Sequence, residues 1–422
     1  MDFLRSALKR CTEYKAVHSA LKSGRTPIMA SSLSRVHKAN IIDTLPADEN
    51  RRALVVVADD GEAARLKDDL AMLGRDALIF PARDLNLRKV EGISHEYELE
   101  RVGVLCDIIS GNADTVIASV EAVMKYTVPR SVLQSHLVKI DMDSQIGIDG
   151  LCRLLNSSGY TRCQTVDGKG QFAVRGGIVD IFIPSYDNPV RIEFWGDDID
   201  SIKLFDIESQ RRVDDVDSVT VTPAREVTVD SVDELIAKMT AKAKALSAKS
   251  DKAKASLYAD IDALNGGLSL SNIDKYIPFI YDNPETLFDY MDGAVVFMYE
   301  PSRIYESVKS YAWQQSEEIK SLFEDGALCR GLDKYAYSAN ELYVRLSGCD
   351  TVMLETFTAS SGVVQPKTAI SFSLPSGSSW GGMAAELAED INAALDKGCS
   401  CVVLNGSERA AMSLCDTLSE HD

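Results

Sequence analysis

The sequence predicts an α/β protein built on a mostly parallel sheet, with a small α+β module inserted into it. The apolar stretches at residues 53–59 and 115–119 are continuous rather than alternating, which is typical of strands buried on both faces of a parallel sheet. Helical segments separate these strands. Between about residues 135 and 223 the pattern changes to short strands that alternate apolar and polar side chains, which indicates a half-exposed sheet.

Length and composition favour several globular domains. The chain has 422 residues, 45% of them hydrophobic, which is more than one ordinary core accommodates. Its formal charge of −19 repels nucleic-acid phosphates, so any DNA contact requires a local basic patch. Nine cysteines without a CxxC pair argue against zinc and disulfides and indicate reduced thiols in a cytosol. No apolar run approaches the ~20 residues that span a bilayer, so a cytoplasmic protein is expected.

The main α/β domain is predicted in two parts, residues 1–134 and 224–349. Its first part is expected to contain, in order, a strand at 53–59, a helix at 61–73, a strand at 77–80, a helix at 96–109 and a strand at 115–119. In its second part, the apolar stretch 294–300 and a helix from Pro301 return to the α/β pattern, as if completing the same sheet.

The inserted module is predicted over residues 135–223. A helix at 149–157 is followed by strands, which are expected at 172–174, 178–183, 190–195 and 199–205. The residues Gly196, Asp197 and Asp198 predict the tight turn of a hairpin between the last two strands.

A lysine-rich helix is predicted to run from Ser231 to about Leu264. It carries Lys238, Lys242, Lys244, Lys249, Lys252 and Lys254. Such a helix in an acidic protein is a solvated face in one interpretation, and a contact for nucleic acid or a partner in the other.

Residues 350–422 are predicted to begin a further small α/β domain, in which "SGSSWGG" is a flexible stretch before a helix. The last residues, from Cys401, have the pattern of a strand, a turn and a helix without the further strands that close a sheet. We therefore expect the chain to be a fragment of a longer protein.

The sequence lacks the phosphate-binding motif that many parallel α/β domains contain. A P-loop needs glycines, a Lys and a following Ser or Thr, but here Lys38 is followed by Ala39 and the preceding loop has no glycine. The apolar strand that would end in Asp-Glu ends in Tyr299 and Glu300. Asp59 and Asp60 are better interpreted as helix caps. We expect no catalytic residues, no cofactor, no metal and no ATP hydrolysis by this chain.

Alternation along the module strands predicts an outer face that could bind a partner. Val179, Ile181 and Ile183 form an aliphatic stripe toward the core, as do Val190, Ile192 and Phe194. The opposite face then holds Arg175, Phe182, Arg191 and Trp195, a mixture of arginines and aromatics that protein interfaces favour. Alternatively, Arg175 and Arg191 pair with Asp180 and Glu193 across the strands and the face is only structural.

The same residues carry a family resemblance. The stretches "GYTRCQTVDGKGQFAVRGGIVDIFIP" and "PVRIEFWGDDIDSIKLFDIESQRR" resemble the segment shared by the excision-repair helicase UvrB and the transcription-repair coupling factors (Mfd), and "FPARDL", "SVEAVM" and "ETLFDYM" match as well. UvrB keeps an intact P-loop and a DESH box, whereas this chain has "SSLSRVHKA" and Tyr299-Glu300-Pro301-Ser302. The chain therefore resembles the N-terminal UvrB-like module of the coupling factors.

The resemblance implies a fold and a function. The fold is a degenerate RecA-like, P-loop helicase-type domain in which Lys38 and Glu300 are vestigial nucleotide-site positions. The family's inserted domain binds UvrA, and the arginines of the shared motif fall on Arg162 and Arg175; Ala173 stands where UvrB often has another arginine. We add Phe182 from strand alternation. The family's ATPase, and its contacts with RNA polymerase and DNA, lie in domains beyond this chain.

Two expectations complete this interpretation. The double glycine after Arg175 is expected to form a tight turn that leaves the backbone open to a partner surface. The alternative function is a DNA-binding module that uses the helix between Lys238 and Lys254.

Overall fold

A computed structural model of the chain describes residues 2–89, 95–247, 250–357, 362–373, 382–403, 405 and 407–419. The helices are α1 (Asp2–Arg10), α2 (Thr12–Lys22), α3 (Arg35–Asp48), α4 (Asp60–Met72), α5 (Glu96–Ser110), α6 (Val120–Met124), α7 (Arg130–Ser135), α8 (Ile148–Ser157), α9 (Val232–Ala245), α10 (Asp251–Asn265), α11 (Ile277–Ile280), α12 (Leu287–Tyr290), α13 (Pro301–Glu324), α14 (Ala339–Gly348), α15 (Ala384–Leu395) and α16 (Glu408–Ser419). The strands are β1 (Ile28–Ser31), β2 (Ala53–Val57), β3 (Leu78–Phe80), β4 (Thr115–Ser119), β5 (Val138–Asp141), β6 (Thr161–Cys163), β7 (Gln171–Arg175), β8 (Ile178–Ile181), β9 (Val190–Trp195), β10 (Asp198–Phe205), β11 (Arg212–Asp215), β12 (Ser218–Val221), β13 (Val295–Tyr299), β14 (Thr351–Leu354) and β15 (Thr368–Ser371).

The main sheet has seven strands in the order β15-β1-β14-β13-β2-β4-β3. All of its neighbouring strands are parallel. Every residue of β2, β4 and β13 is buried, as their continuous apolar sequences predicted. Helices pack on both faces and form two separate apolar cores, so the predicted α/β fold with an inserted small module is confirmed.

The main sheet also takes in strands from beyond residue 350, where a further domain was predicted to begin. Strand β14 lies between β1 and β13, and β15 pairs with β1 at the edge of the sheet. The strands β14 and β15 therefore belong to the main sheet, and not to a further domain as predicted. A short apolar strand does not reveal which sheet it joins, because its pairing depends on residues far away in the sequence. The "SGSSWGG" stretch lies almost entirely outside the described residues, and residues 401–403 form no strand.

The inserted module is a six-stranded sheet in the order β11-β10-β9-β8-β7-β6, covered on one face by α8. Its strands are antiparallel except for β6 and β7, which run parallel. The predicted hairpin is confirmed, because Trp195 pairs with Asp198 across the turn at Gly196. The chain enters and leaves the module through β5 and β12, which pair with each other as a two-stranded sheet.

A buried network of charged side chains attaches the segment that follows the inserted module to the main domain. Glu226 accepts hydrogen bonds from Arg101 Nε at 2.8 Å and Nη2 at 2.9 Å, and from Thr127 Oγ1 at 2.6 Å. Arg83 Nε lies 2.9 Å from Glu226, and Arg83 Nη2 donates to Asp274 at 3.0 Å. Burial alone would raise the pKa of Glu226, but Arg101 and Arg83 outweigh it and lower the pKa. Since one missing partner would leave a buried charge, this network resists rearrangement.

The lysine-rich segment is two helices rather than the single predicted helix. α9 ends at Ala245, Leu246 is extended, and α10 begins at Asp251 and packs against α9. Lys238 is held by Glu234, Asp282 and the carbonyl of Phe279. The predicted single helix is therefore wrong, because the chain breaks after Ala245 and the two helices pack on each other. Lys249 lies outside the described residues.

Candidate functional site

The outer face of the module sheet follows the predicted alternation. Phe172, Val179, Ile181, Val190 and Ile192 are buried against α8. The alternate residues of β7, β8 and β9 lie on the other face, which carries Arg175, Asp180, Arg191, Glu193 and Trp195. Trp195 is 84% exposed, so this face presents a large aromatic side chain to solvent.

A buried carboxylate holds two arginines on this face. Asp180, only 1% exposed, accepts hydrogen bonds from Arg191 Nε at 2.7 Å and Nη2 at 3.0 Å, and one from Arg175 Nη2. The Arg191 guanidinium also lies 4.5 Å from the centre of the Phe205 ring. The hydrogen bond to Asp180 raises the pKa of Arg191 further above its ordinary value. The Arg175 side chain remains 48% exposed, so Asp180 orients it without hiding it.

The pairing predicted for Glu193 is wrong. Glu193 accepts hydrogen bonds from Lys203 Nζ at 2.6 Å and Ser201 Oγ at 2.8 Å on the neighbouring strand β10, and these lower its pKa. The carboxylate that pairs with Arg191 is thus Asp180, and not Glu193. Cross-strand pairing and an exposed arginine occur on the same face, so the two interpretations of this face are compatible.

Phe182 lies on the outer face, as its place in the alternation predicts, but little of it is exposed. It is 8% exposed and packs with Val166 and Ala173, beside the partly buried Cys163 and Ile207. Val166 belongs to the loop between β6 and β7, which covers this part of the sheet. A direct contact of Phe182 with UvrA therefore stays a prediction, and only a small part of its ring is accessible, because strand alternation gives the face of a side chain but not what lies over that face.

Arg162 is exposed, but it lies on the other face of the sheet from Arg175. Its strand β6 runs parallel to β7, with Arg162 paired to Phe172, whose side chain points to the core beside α8. Its charge lowers the pKa of Cys152 on α8, although burial dominates and leaves that pKa raised. Because β6 is the edge strand, a partner that contacts both arginines must reach round this edge.

The two glycines after Arg175 have different roles. Gly176 has a φ of +60°, the left-handed conformation that favours glycine, and an added Cβ would meet nothing within 4 Å. At Gly177 an added Cβ would lie 2.9 Å from the carbonyl oxygen of Phe194, whose amide donates to Gly177 O at 2.7 Å. The second glycine therefore serves close packing inside the sheet, and only the first leaves open space as expected.

Lys38 and Glu300, which the resemblance predicts to be vestigial nucleotide-site positions, meet at the carboxyl edge of the main sheet. Lys38, only 2% exposed, forms an ion pair with Glu300 and donates to Thr356 Oγ1 at 2.9 Å. Its ammonium lies 4.4 Å from the centre of the Tyr299 ring. Burial disfavours the charge on Glu300, but hydrogen bonds from Lys38 and Thr356 outweigh it and lower the pKa. The cation that would meet a phosphate in a P-loop is thus neutralised internally.

The surroundings of Lys38 do not resemble a phosphate cradle. Ser34 caps α3 by accepting a hydrogen bond from the amide of His37. One amide of the first turn is therefore already paired with a side chain of the protein and is not free for a phosphate. Glu355 lies beside Glu300 and accepts from Ser302 Oγ at 3.3 Å. Burial, together with the neighbouring Glu300, raises the pKa of Glu355 to about 7. The carboxyl groups of Glu300 and Glu355 therefore lie where an anionic phosphate would need hydrogen-bond donors.

Neither a membrane helix nor a metal cluster is found in the described ranges. No described helix combines the length and the apolar character that crossing a bilayer requires. Likewise, three or more His, Cys, Asp or Glu side chains are nowhere grouped in those ranges so that they could hold a metal ion.

Comparison with known proteins identifies the inserted module. Residues 138–227 match the family described as the UvrB interaction domain. This stretch contains the sheet that carries Arg162, Arg175 and Asp180. The matched domain interrupts the parallel α/β domain, as the predicted resemblance to a UvrB-like module requires.

Over most of its length the chain is similar to much longer proteins. The chain is 28% identical over 341 residues to the transcription-repair-coupling factor of Bacillus subtilis, covering 78% of this chain and 29% of the relative. It is 32% identical over 267 residues to that of Myxococcus xanthus, covering 60% of the chain and 22% of the relative. For Staphylococcus haemolyticus the identity is 26% over 316 residues, with coverages of 72% and 27%. The predicted resemblance is confirmed: over most of its length the chain is similar to transcription-repair-coupling factors, it contains a UvrB interaction domain, and its matches span less than a third of these relatives.

Proposed function

We propose that this chain is the UvrA-recruiting part of a transcription-repair-coupling factor, which links a stalled RNA polymerase to nucleotide excision repair. The observation that carries the proposal is the UvrB interaction domain at residues 138–227, together with an exposed arginine oriented on its sheet. RNA polymerase and DNA are contacted by parts of the full-length protein outside this chain. The chain itself acts by binding and hydrolyses no ATP.

The arrangement on the outer face suits recognition of an acidic or carbonyl-rich surface. Arg175 offers a guanidinium that Asp180 has already oriented, so less side-chain entropy is lost on binding. Trp195 adds a rigid, exposed aromatic surface on the same face. Arg162 extends the contact across the β6 edge to the α8 side of the sheet. Phe182 supports this surface from beneath and exposes little of its ring to the partner.

The proposal is tested by measuring how the whole chain binds purified UvrA. We expect Arg175→Ala to weaken binding by about 2 kcal/mol, because a preorganised, charge-assisted contact is lost. The melting temperature should stay unchanged, because Arg175 is exposed and Asp180 keeps Arg191 as a partner. Binding is measured by calorimetry and stability by a thermal melt of the same preparation.

A matched control lies on the same sheet. Arg212 is an exposed arginine on the far edge strand β11 and also pairs with an aspartate, Asp215. Arg212→Ala should leave UvrA binding within the error of the measurement. If an Arg162→Ala, Arg175→Ala double variant bound UvrA as tightly as the unmodified chain, the assignment of this surface would be wrong.

The alternative function, DNA binding by the lysine-rich segment, has weaker support. It required lysines aligned on one helix, but α9 and α10 pack against each other and Lys238 is engaged by acidic groups. Under that alternative, duplex affinity would fall steeply with added salt and would be insensitive to Arg175→Ala.

A further inference from the structure

A basic cleft lies on the main domain, away from the module. It has a volume of about 470 Å³ and opens to solvent between the segment after β3, the first turns of α10 and the segment after α13. Arg88, Lys89, Lys252 and Lys275 all line it. Four cations around one cleft are unusual in a chain whose formal charge is −19.

The carboxylates near the cleft do not balance these cations. Asp260 lies 2.7 Å from Lys89 Nζ and 3.2 Å from Lys275 Nζ, and Asp325 lies 2.7 Å from Arg88. Among the described residues, Lys252 has no acidic partner. Four positive and two negative side chains leave an excess of two positive charges, which suits a dianion.

Hydrogen-bonding groups in the cleft are also unsatisfied. Asn272 is 3% exposed, lines the cleft, and its Oδ1 has no partner among the described residues. The helix α10 begins at this cleft, and Ser250 provides no side-chain cap for its first amides. Gly326 allows this close arrangement, since an added Cβ would lie 2.4 Å from Lys252 Cβ. A buried acceptor without a partner is costly, so a ligand that supplies a donor there gains affinity.

We propose that this cleft binds the phosphate group of a small phosphorylated molecule that also carries hydroxyl groups. The lysines and the start of α10 would receive the phosphate oxygens, and a hydroxyl would donate to Asn272 Oδ1. The internal backbone of DNA has no hydroxyl to offer this acceptor, which favours a small phosphorylated ligand over a duplex. The site is separate from the position of Lys38, whose ammonium is paired with Glu300.

The test uses the whole chain and ribose 5-phosphate as probe, in calorimetry at constant ionic strength. We expect ribose 5-phosphate to bind more tightly than inorganic phosphate, and sulfate, which has no donor, to bind most weakly. Lys252→Gln should weaken ribose 5-phosphate binding about tenfold, because one charge-assisted contact is lost. Lys252 is exposed, so this variant should melt at the same temperature as the unmodified chain.

Lys254→Gln is the matched control, because Lys254 lies on the same helix but does not line the cleft. It removes the same charge and should leave the affinity unchanged. Equal binding by Lys252→Gln and the unmodified chain would overturn the proposal, as would an equal loss in both variants. A duplex oligonucleotide that binds through Lys252, with no binding of ribose 5-phosphate, would overturn it in favour of a nucleic-acid backbone.

Discussion

Two regions of this molecule pair a cation with a carboxylate, and they bury opposite partners. At the nucleotide-site remnant the cation is inside: Lys38 is enclosed by Glu300, Thr356 and Tyr299. On the module the anion is inside: Asp180 is buried, and Arg175 projects from it into solvent. The comparison shows that an ion pair presents a charge only where one member stays exposed: Glu300 is 13% exposed beside Lys38, whereas Arg175 is 48% exposed beside Asp180. The first pair is enclosed, and the second presents a charge to solvent.

Removing the buried anion should have the largest effect. We expect Asp180→Ala to lower the free energy of unfolding of the chain by about 3 kcal/mol, because Arg191 and Arg175 lose their shared acceptor. UvrA binding should fall at least as much as in Arg175→Ala, since the guanidinium is no longer oriented. Denaturant unfolding gives the first quantity and calorimetry the second.

The exposed pair Arg212 and Asp215 provides the control for that substitution. Asp215→Ala removes a carboxylate of the same type from an exposed strand and should cost less than about 0.5 kcal/mol. Similar losses in the two variants would contradict the view that burial of Asp180 is what matters.

Breaking the ion pair between Lys38 and Glu300 should lower the stability of the chain, and no effect on nucleotide binding is expected. We expect Lys38→Ala to lower the free energy of unfolding by about 2 kcal/mol, because Glu300 then lacks its cation in a mostly buried site. Replacing both partners, Lys38→Ala with Glu300→Gln, should cost less than the sum of the two single changes. Unfolding of the four proteins forms a double-mutant cycle.

The same preparations test the nucleotide expectation. ATP should neither raise the melting temperature nor be hydrolysed by any of the four proteins, because the cation of the site is already neutralised. ATP turnover that disappears in Lys38→Ala would show that the pair opens to admit phosphate, and the contrast between the two regions would fail.

The last expected effect is a pH dependence at the remnant. Glu355 has a pKa of about 7, above its ordinary value, so the folded state holds a proton that the unfolded state releases. The free energy of unfolding should therefore fall by about 1 kcal/mol for each pH unit as pH rises from about 5 to about 7. Glu300 has a lowered pKa and acts only at more acidic pH, and Tyr305 nearby stays neutral over this range.

Glu355→Gln removes the titrating group while keeping its size. Its unfolding free energy should show a weaker dependence on pH in this window than that of the unmodified chain. If the two dependences were identical, another group would have to account for them, and the protonated Glu355 beside Glu300 would be excluded.

The elements that sequence reasoning predicted well are those with a strong local pattern. β4 and β9 begin and end at the predicted residues, and β2, α5 and α8 differ from prediction by one or two residues. Lys38 and Glu300 were paired in sequence as remnants of one site, and they contact each other in space. Parallel topology explains this, since the carboxyl ends of neighbouring strands meet at one edge.

The predictions that were wrong or incomplete concerned contacts between distant segments. Nothing in the pattern of β8 shows that the β6–β7 loop covers Phe182. The lysine-rich stretch has continuous helical propensity, and its break reflects the packing of α9 on α10. The basic cleft was also missed, because Arg88, Lys252 and Lys275 come from three separate segments. The only indication of this cleft in the sequence was the high number of lysines in the segment that contains α10.

By itself, the sequence determined the parallel sheet, the core face of the module and the absence of a phosphate loop, because these follow from local periodicity and from which side chains are present. Only the tertiary structure decided that β14 and β15 join the main sheet, that Arg162 and Arg175 lie on opposite faces, and that Asp180 is buried while Arg175 is exposed. The physical reason is that pairing and burial depend on which distant segment lies against a strand, and a strand's own residues do not specify that neighbour.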